Sequence, residues 1–421
     1  MKSFPILRPA ALLLLAFTSA FRPSLEAAAA AATDTTVLAA REPTELSFGK
    51  RHTLQSKVLG RDQEIWIHTT RGYEDSVSHP RVPVLYFTDA AGNQYLHLVG
   101  LVDFLASSAR QIPPMVLVGI ANTPGPEART RDLTPTFSSA QKAGGEAGKL
   151  AQFIRDEVIP YTEARFRAAP FRIFAGHSLG GLFALHMLRE HPETFNAIIA
   201  CSPSLWWDER VLLKGSTRWG RDGQFLFFTM EQPDKDLPHQ SAVKEFSRIL
   251  REQAAPGLKW EFKGYPDEWH NSVPHRSYHD GLQFVFPDWN FSLAADLNGS
   301  VTYAQVSAHH AKLSQRYGYD IPISLTTIQA VVNQPVRAGL TDVPPDAREL
   351  VVQKRFKDLV ALCAAHVERF PDSSAAHALL ASVHQRAGDL AAARASYEKA
   401  IVLDPKNAAA KRALAELSSA K

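Results

Sequence analysis

A serine flanked by glycines stands between a predicted strand and a predicted helix. Residues 176–181 read GHSLGG, and Ser178 is the third of them. The apolar run 171–175 precedes this segment, and a helical pattern starts near Leu179. Glycines two positions before and after a serine permit the close backbone approach that a sharp strand-to-helix turn requires. The pattern predicts an exposed serine nucleophile at the start of a helix, whose dipole favours a developing oxyanion.

A serine nucleophile needs a general base, which the sequence must supply downstream. In folds with this kind of turn, the chain order is serine, then an acidic residue, then histidine. His270 follows the predicted strand 259–262, so it lies on a loop from which an imidazole can reach Ser178. We interpret His270 as the base, with His275 and His279 as nearby alternatives.

The base in turn needs an orienting acid. Glu231 comes directly after the apolar strand predicted at 224–230, which is the strand end that delivers the acid in this fold. Asp234 and Asp236 follow in the same loop. Glu231 is the first choice, the two aspartates are alternatives, and a dyad without an acid is a third possibility.

Two backbone N–H groups are needed to stabilise an oxyanion. One is expected at Leu179, directly after the nucleophile. The other is expected in the loop 89–92 that follows the predicted strand 84–87, at Ala91.

Two further groups are candidates for substrate binding. Trp206 and Trp207 offer apolar rings with a polar N–H, so they either line an acyl or aryl pocket or pack a loop against the sheet edge. Arg131, with Arg129 and Asp132 nearby, either binds a substrate carboxylate or forms an internal ion pair that orders its loop.

Short apolar runs alternate with helical patterns over the first two thirds of the chain. Continuous apolar runs bounded by Pro and Gly are typical of strands buried on both faces, and the alternation predicts an α/β fold with a mainly parallel central sheet. In residues 146–158 the apolar positions recur at helical spacing, and Pro160 is expected to end that helix. The predicted strands are 84–87, 115–120, 171–175, 197–200, 224–229 and 259–262.

The C-terminal part is Ala-rich and is predicted to be all-α. Residues 374–407 match the 34-residue period of a tetratricopeptide repeat, with Gly388, Tyr397 and Pro405 at suitable positions. A degraded copy is predicted over about 340–373. One or two such repeats are seldom stable on their own. We therefore expect this region to pack on the preceding domain through a helical bridge at 301–334. The predicted organisation is a signal peptide (1–32), an α/β domain that carries the serine site (46–290), a helical linker (291–335) and a tetratricopeptide-like helical domain (336–421).

The N-terminal residues follow the order typical of a secretory signal peptide, with basic residues first, then an apolar run and then small residues. Lys2 and Arg8 precede the apolar run 10–17, and small residues follow, including the alanines at 27–32. An apolar run of this length is too short to cross a bilayer, which takes about 20 residues. The sequence therefore predicts export to the periplasm or the medium, with no membrane span in the mature chain.

Composition excludes several classes of protein. The chain has 421 residues, of which 45% are hydrophobic, and a formal net charge of +3. This is globular composition without a basic excess for nucleic acid, so no nucleic-acid partner is expected. Cys201 and Cys363 are the only cysteines, which excludes a disulfide framework, and a bridge between them is not expected. The histidines show no metal-ligand spacing, so neither a metal nor a cofactor is expected.

Residues 60–287 resemble the esterase family of α/β-hydrolases that includes the enterobactin-type siderophore esterases, the esterase D group and the mycolyltransferases. The resemblance implies an α/β-hydrolase fold, Ser178 as nucleophile and His270 as base. One departure is Asp89-Ala90, where relatives read Asp-Gly. A tetratricopeptide-like C-terminal extension marks a subgroup of these esterases. The matching segments are 83–89, 120–122, 131–135, 176–181, 202–207 and 270–274.

Together these features predict an exported serine hydrolase that cleaves a small-molecule carboxylic ester through an acyl-enzyme on Ser178. An acyltransferase that uses the same residues is one alternative. A catalytically silent hydrolase fold, whose tetratricopeptide-like region binds a protein partner, is another.

Overall fold

The computed structural model describes most of the chain beyond its N-terminal segment. The predicted signal peptide at 1–32 lies outside the described residues. These are 47–74, 80–125, 127–215, 218–290, 302–333, 340 and 343–419.

The described residues contain one eight-stranded sheet with the order β1-β2-β4-β3-β7-β8-β9-β10 and a separate two-stranded ribbon, β5-β6. The strands from β4 to β10 in that order pair in parallel, whereas β2 pairs antiparallel with both β1 and β4. The mainly parallel sheet confirms the α/β prediction, and the antiparallel edge and the ribbon were not predicted. The strands are β1 Lys50–Ser56, β2 Arg61–Thr69, β3 Val82–Phe87, β4 Val116–Ile120, β5 Phe137–Ser138, β6 Ala143–Gly144, β7 Ala168–His177, β8 Ala197–Cys201, β9 Phe225–Glu231 and β10 Lys259–Tyr265.

The apolar runs form central strands because both of their faces are covered by helices. In β3, Val84 and Tyr86 belong to one buried cluster, and Leu85 and Phe87 belong to the cluster on the other face. Side chains alternate across a strand, so a strand with two buried faces must be apolar at every position.

The helices of the described residues connect these strands and form the C-terminal region. They are α1 Gly92–Asp103, α2 Ala128–Leu133, α3 Ala147–Phe153, α4 Ile159–Arg165, α5 Leu179–Glu190, α6 Trp207–Arg210, α7 Pro238–Gln253, α8 Val273–Val285, α9 Tyr303–Tyr317, α10 Leu325–Val332, α11 Arg348–Arg369, α12 Ser374–Arg386, α13 Leu390–Leu403 and α14 Ala408–Ser419. None of them combines the length and the hydropathy that crossing a membrane requires.

Pro160 does not end its helix, contrary to the prediction. A π-helical turn at Ile154–Val158 follows α3 and leads directly into α4, which continues to Arg165. Pro160 lies in the first turn of α4. Proline is tolerated in a first turn because its missing N–H would have no helical partner there.

The helices after the sheet continue its hydrophobic core. The ring of Tyr317 at the end of α9 lies 5.1 Å from the rings of both Phe171 in β7 and Phe286 after α8. The Tyr317 hydroxyl donates to the carbonyl oxygen of Val285 at 3.1 Å. A further apolar cluster joins α9, α10, α11 and α12 and contains Cys363. Cys363 and Cys201 are both buried free thiols.

Tyr317→Ala is expected to destabilise the protein by about 3–5 kcal/mol, because it removes a buried aromatic ring between α9 and the sheet. Tyr317→Phe keeps the ring and loses one hydrogen bond, so its cost is expected to be about 1 kcal/mol. Denaturant unfolding of both variants measures the difference. Equal losses of stability would show that the ring contacts do not join α9 to the sheet.

Candidate active site

Ser178 occupies a strained turn between β7 and α5. Its backbone has φ 60° and ψ −117°, which costs about 1–3 kcal/mol for a residue with a side chain. The Ser178 N–H donates to the carbonyl of Cys201 at 3.0 Å, and its own carbonyl accepts from the N–H of Ser204 at 3.0 Å. A Cβ at Gly176 would clash with the backbone of Gly180, so this turn requires glycine there. These contacts hold the serine at the carboxyl end of the central strand.

The structure brings the predicted serine, histidine and acid into one hydrogen-bonded line. Nε2 of His270 lies 3.0 Å from Oγ of Ser178, and Nδ1 of His270 lies 2.9 Å from Oε1 of Glu231. Glu231 is the last residue of β9, and His270 lies on the loop after β10. An ionised carboxylate only accepts hydrogen bonds, so Nδ1 of His270 carries the proton and Nε2 is free to accept from Ser178.

Glu231 is buried and still charged. Burial alone would raise the pKa of this carboxyl group, but hydrogen bonds from His239, His270 and Ser202 outweigh that effect and hold the pKa of Glu231 well below its usual range. Its side chain is only 7% exposed. Glu231 is therefore a carboxylate throughout the neutral range and can stabilise a protonated His270.

The alternative residues lie in other environments. His275 forms a hydrogen bond with His97, with 2.8 Å between their ring nitrogens, and His279 bonds Asp280 at 2.7 Å. Asp234 and Asp236 are exposed in the loop after β9. The geometry therefore favours His270 and Glu231 over these candidates.

His177, which sequence reasoning did not single out, packs against the candidate base. The rings of His177 and His270 are 4.6 Å apart. Burial, followed by the proximity of His270, lowers the pKa of His177 to about 4. His177 is thus neutral at pH 7 and adds no fixed charge beside His270.

A bidentate ion pair lies beneath the nucleophile turn. Nε and Nη2 of Arg129 contact the two carboxylate oxygens of Asp89 at 2.5 and 3.0 Å, and Asn122 donates to the same carboxylate at 2.8 Å. Arg129 also donates to the carbonyl of His177 at 3.3 Å. This pair ties the loops after β3 and β4 to α2 and to the end of β7.

A cleft of about 340 Å³ opens beside Ser178, which is at the small end of the range for small-molecule sites. Leu179, Trp206 and Trp207 are among its lining residues. Trp206 is 36% exposed, whereas Trp207 is buried and donates from its indole N–H to the carbonyl of Thr136 at 3.1 Å. Trp206 is therefore available to a bound molecule, and Trp207 serves mainly as packing.

Two predicted residues are engaged elsewhere. The Arg131 side chain contacts Asp132 at 2.8 Å and Glu146 at 3.4 Å. Arg131 therefore forms the internal ion pair that the sequence offered as the alternative to substrate binding. The amide nitrogen of Ala91 lies 2.7 Å from the carbonyl oxygen of Asp89, so this N–H is used within its own loop. Ala91 lines a neighbouring cavity together with Asp89 and His177 rather than the cleft at Ser178.

Glu231, His239 and His270 are the one group with metal-ligand spacing among the described residues, since their donor atoms all lie within 4.8 Å of one another. The group is better explained by hydrogen bonding. Coordination through Nε2 of His239 would place a proton on its Nδ1, which is buried and has no hydrogen-bond partner in the described part of the chain. Histidine ligands of metals nearly always donate from the second ring nitrogen.

Comparison with known proteins gives a consistent result. The family model described as "Putative esterase" matches residues 56–247. Over 195 residues the chain is 31% identical to the siderophore triacetylfusarinine C esterase of Aspergillus fumigatus, covering 39% of this chain and 66% of the relative. It is 32% identical over 184 residues to the ferri-bacillibactin esterase BesA of Bacillus subtilis, covering 38% of this chain and 63% of the relative. The chain thus spans slightly less than two thirds of these relatives.

A solved structure extends the likeness beyond the sheet. An IroE-like serine hydrolase from Shewanella oneidensis superposes with a TM-score of 0.57 and 29% identity, covering 73% of this chain and 98% of that structure. Together with the strand order, this likeness confirms the α/β-hydrolase fold.

The protonation of Glu231 is expected to appear in the pH dependence of stability. A carboxyl group whose pKa is lowered by folding stabilises the protein above its unfolded pKa, and that contribution is lost as the pH falls towards the folded pKa. Wild type is expected to be more stable than Glu231→Gln at pH 7, and the gap is expected to narrow below about pH 4.5, the ordinary value for glutamate. Urea unfolding at pH 7, 5 and 3.5 measures it. A gap that does not change with pH would contradict a charged, hydrogen-bonded Glu231.

Proposed function

We propose that the protein is a serine esterase that hydrolyses carboxylic esters, with Ser178, His270 and Glu231 as its catalytic triad. The observation that carries the proposal is the continuous line of hydrogen bonds from Glu231 through His270 to a strained, cleft-lining serine. The similarity to siderophore esterases supports the same reaction class.

The proposed reaction proceeds through an acyl-enzyme. Nε2 of His270 takes the proton of Ser178 as Oγ attacks the ester carbonyl carbon, and the carbon–oxygen double bond opens to an oxyanion. The N–H of Leu179 at the start of α5 stabilises this oxyanion. The intermediate collapses, the ester C–O bond breaks, and His270 gives its proton to the leaving alcohol.

Water then completes the cycle by the same steps. His270 removes a proton from water as the water attacks the acyl carbon, and Ser178 leaves and recovers its proton from His270. Glu231 accepts from Nδ1 of His270 throughout, and its charge stabilises the imidazolium that forms in each half-reaction.

The proposed substrates are small esters, with siderophore esters as the first class to assay because the relatives are named for them. Trp206, the exposed indole in the cleft, is the residue we propose to contact the apolar or aryl part of the substrate.

Ser178→Ala is expected to abolish labelling by a fluorophosphonate probe and to lower ester hydrolysis by at least about 10³-fold, since the probe reacts only with an activated serine. Ser204→Ala is the matched control, because its Oγ lies only 3.3 Å from that of Ser178. This control is expected to retain labelling. Gel fluorescence and a panel of chromogenic and siderophore esters provide the measurements.

Other outcomes would select the alternative functions. Labelling that survives in Ser178→Ala would reject Ser178 as the nucleophile. A folded wild-type protein that neither labels nor hydrolyses any ester would favour a binding module. Diversion of the acyl group to an added alcohol would identify an acyltransferase.

We also propose that residues 1–32 direct export. Expression of the full chain in a bacterial host is expected to yield a shortened protein in the periplasm or the medium. Replacing Leu12 to Leu15 of the apolar run with serines is expected to leave the full-length chain in the cytoplasm, since export signals require an apolar segment. Fractionation and N-terminal sequencing test it, and an unprocessed wild-type chain in the cytoplasm would reject it.

A further inference from the structure

The carboxylate of Glu231 has a second set of hydrogen bonds besides that to His270. Oγ of Ser202 is in hydrogen-bond contact with Oε2 of Glu231, and Nε2 of His239 lies 2.8 Å from the same hydroxyl oxygen. Ser202 directly follows β8 and is fully buried, and His239 lies in the first turn of α7 with a side chain 18% exposed. Neither residue lines the cleft beside Ser178.

The proton positions along this branch follow from the acceptors. Glu231 is a carboxylate, so the single proton of the Ser202 hydroxyl points to Oε2. The oxygen of Ser202 then accepts from His239, which must carry its proton on Nε2. The same nitrogen lies 3.5 Å from Oε1 of Glu231, so this N–H also faces the carboxylate. Nδ1 of His239 is buried without a hydrogen-bond partner among the described residues, so a second proton there would create an unpaired buried donor. His239 is therefore the neutral Nε2–H tautomer.

The two oxygens of Glu231 have separate partners. Nδ1 of His270 lies 2.9 Å from Oε1 and 3.3 Å from the uncharged Oγ of Ser202, so its proton goes to the carboxylate. Oε2 is the oxygen that Ser202 contacts. Because each oxygen is held by a different donor, the carboxylate cannot rotate away from His270 without breaking a buried hydrogen bond.

We propose that Ser202 and His239 are positioning residues that hold Glu231 charged and aimed at His270. The proposal rests on the proposed roles of Ser178, His270 and Glu231. Loss of Ser202 removes the donor to Oε2 of the buried carboxylate. Loss of His239 removes the N–H that fixes the Ser202 hydroxyl and faces Oε1 of Glu231. In either case the carboxylate reorients towards other groups, and fewer molecules have a competent triad. Since neither side chain touches the cleft, kcat falls while KM stays the same.

Kinetics of single variants test this role. Ser202→Ala and His239→Leu are each expected to lower kcat by about 10- to 100-fold with KM unchanged, the size expected for a hydrogen bond to a charged group. His239→Gln is expected to recover most of the loss, because its side-chain amide can donate from the position of Nε2. Ser247→Ala is the control, because it removes another buried serine, whose hydroxyl donates to the carbonyl of Val243 on α7 at 3.2 Å. Its kcat is expected to stay unchanged.

A double-mutant cycle separates positioning from general destabilisation. If Ser202 acts through Glu231, Ser202→Ala is expected to change kcat by less than about threefold in a Glu231→Gln background. A full 10- to 100-fold loss in that background would overturn the proposal, as would a rise in KM with kcat unchanged or a His239→Gln variant as slow as His239→Leu.

The tautomer of His239 gives a readout that does not depend on activity. In protein labelled with ¹⁵N-histidine, the ring shifts of His239 at pH 7 are expected to show a neutral ring with the proton on Nε2, in wild type and in Ser178→Ala alike. A neutral Nδ1–H ring or an imidazolium would overturn the hydrogen-bond branch even in an active enzyme. If the wild type hydrolyses no ester yet shows the expected tautomer, the proposed function is wrong. The hydrogen bonds from His239 through Ser202 to Glu231 are then confirmed as structure without a catalytic role.

Discussion

The site depends on one buried negative charge. Moving a carboxylate out of water costs several kcal/mol unless other groups replace its hydration. Three separate segments offset that cost for Glu231. Ser202 after β8 and His270 after β10 donate to the carboxylate directly, and the Nε2–H of His239 on α7 faces it at 3.5 Å. Satisfying this one group therefore sets the relative positions of the segments around it, and the placement of His270 against Ser178 follows from that.

The nucleophile turn is the second constraint, and the neighbouring strand supports it. Its strained backbone is held by hydrogen bonds to Cys201, the last residue of β8, and to Ser204 in the loop that follows. Ser202, which contacts Glu231, lies between these two residues. One short segment thus holds both the serine and the acid in place. Together with the loop that carries His270, it fixes the relative positions of the three side chains at the carboxyl ends of the strands.

The central strand β7 also links the site to the helical region. Phe171 near its start packs against Tyr317 of α9, whereas Ser178 directly follows its end. The helices after the sheet therefore contribute to the core at the amino end of β7, and the candidate active site lies at its carboxyl end. Parallel sheets commonly place ligand sites at the carboxyl ends of strands, so a helical addition at the other end leaves the site open.

Much of the site could be predicted because the chemistry follows local pattern. The glycines around Ser178 indicate a turn that only small residues permit, and the apolar runs indicate strands buried on both faces. Glu231 could be chosen because it lies at the end of such a strand, and His270 because it lies on the loop beyond the next predicted strand. The pattern failed at Pro160, where a π-helical turn brings the proline into a permitted first-turn position. It also gave no sign of the antiparallel strands β1 and β2 at one side of the sheet.

The sequence by itself determined the α/β class, the serine turn and the short set of residues from which its partners had to come, because periodicity and glycine spacing act over a few residues. Only the tertiary structure brought Glu231 and His270, rather than the other acids and histidines, into line with Ser178. It also placed Arg131 in an ion pair, engaged the amide of Ala91 and brought Ser202 and His239 to the carboxylate. Those outcomes depend on which distant groups share a buried space and can satisfy each other's hydrogen bonds, and no local pattern encodes that.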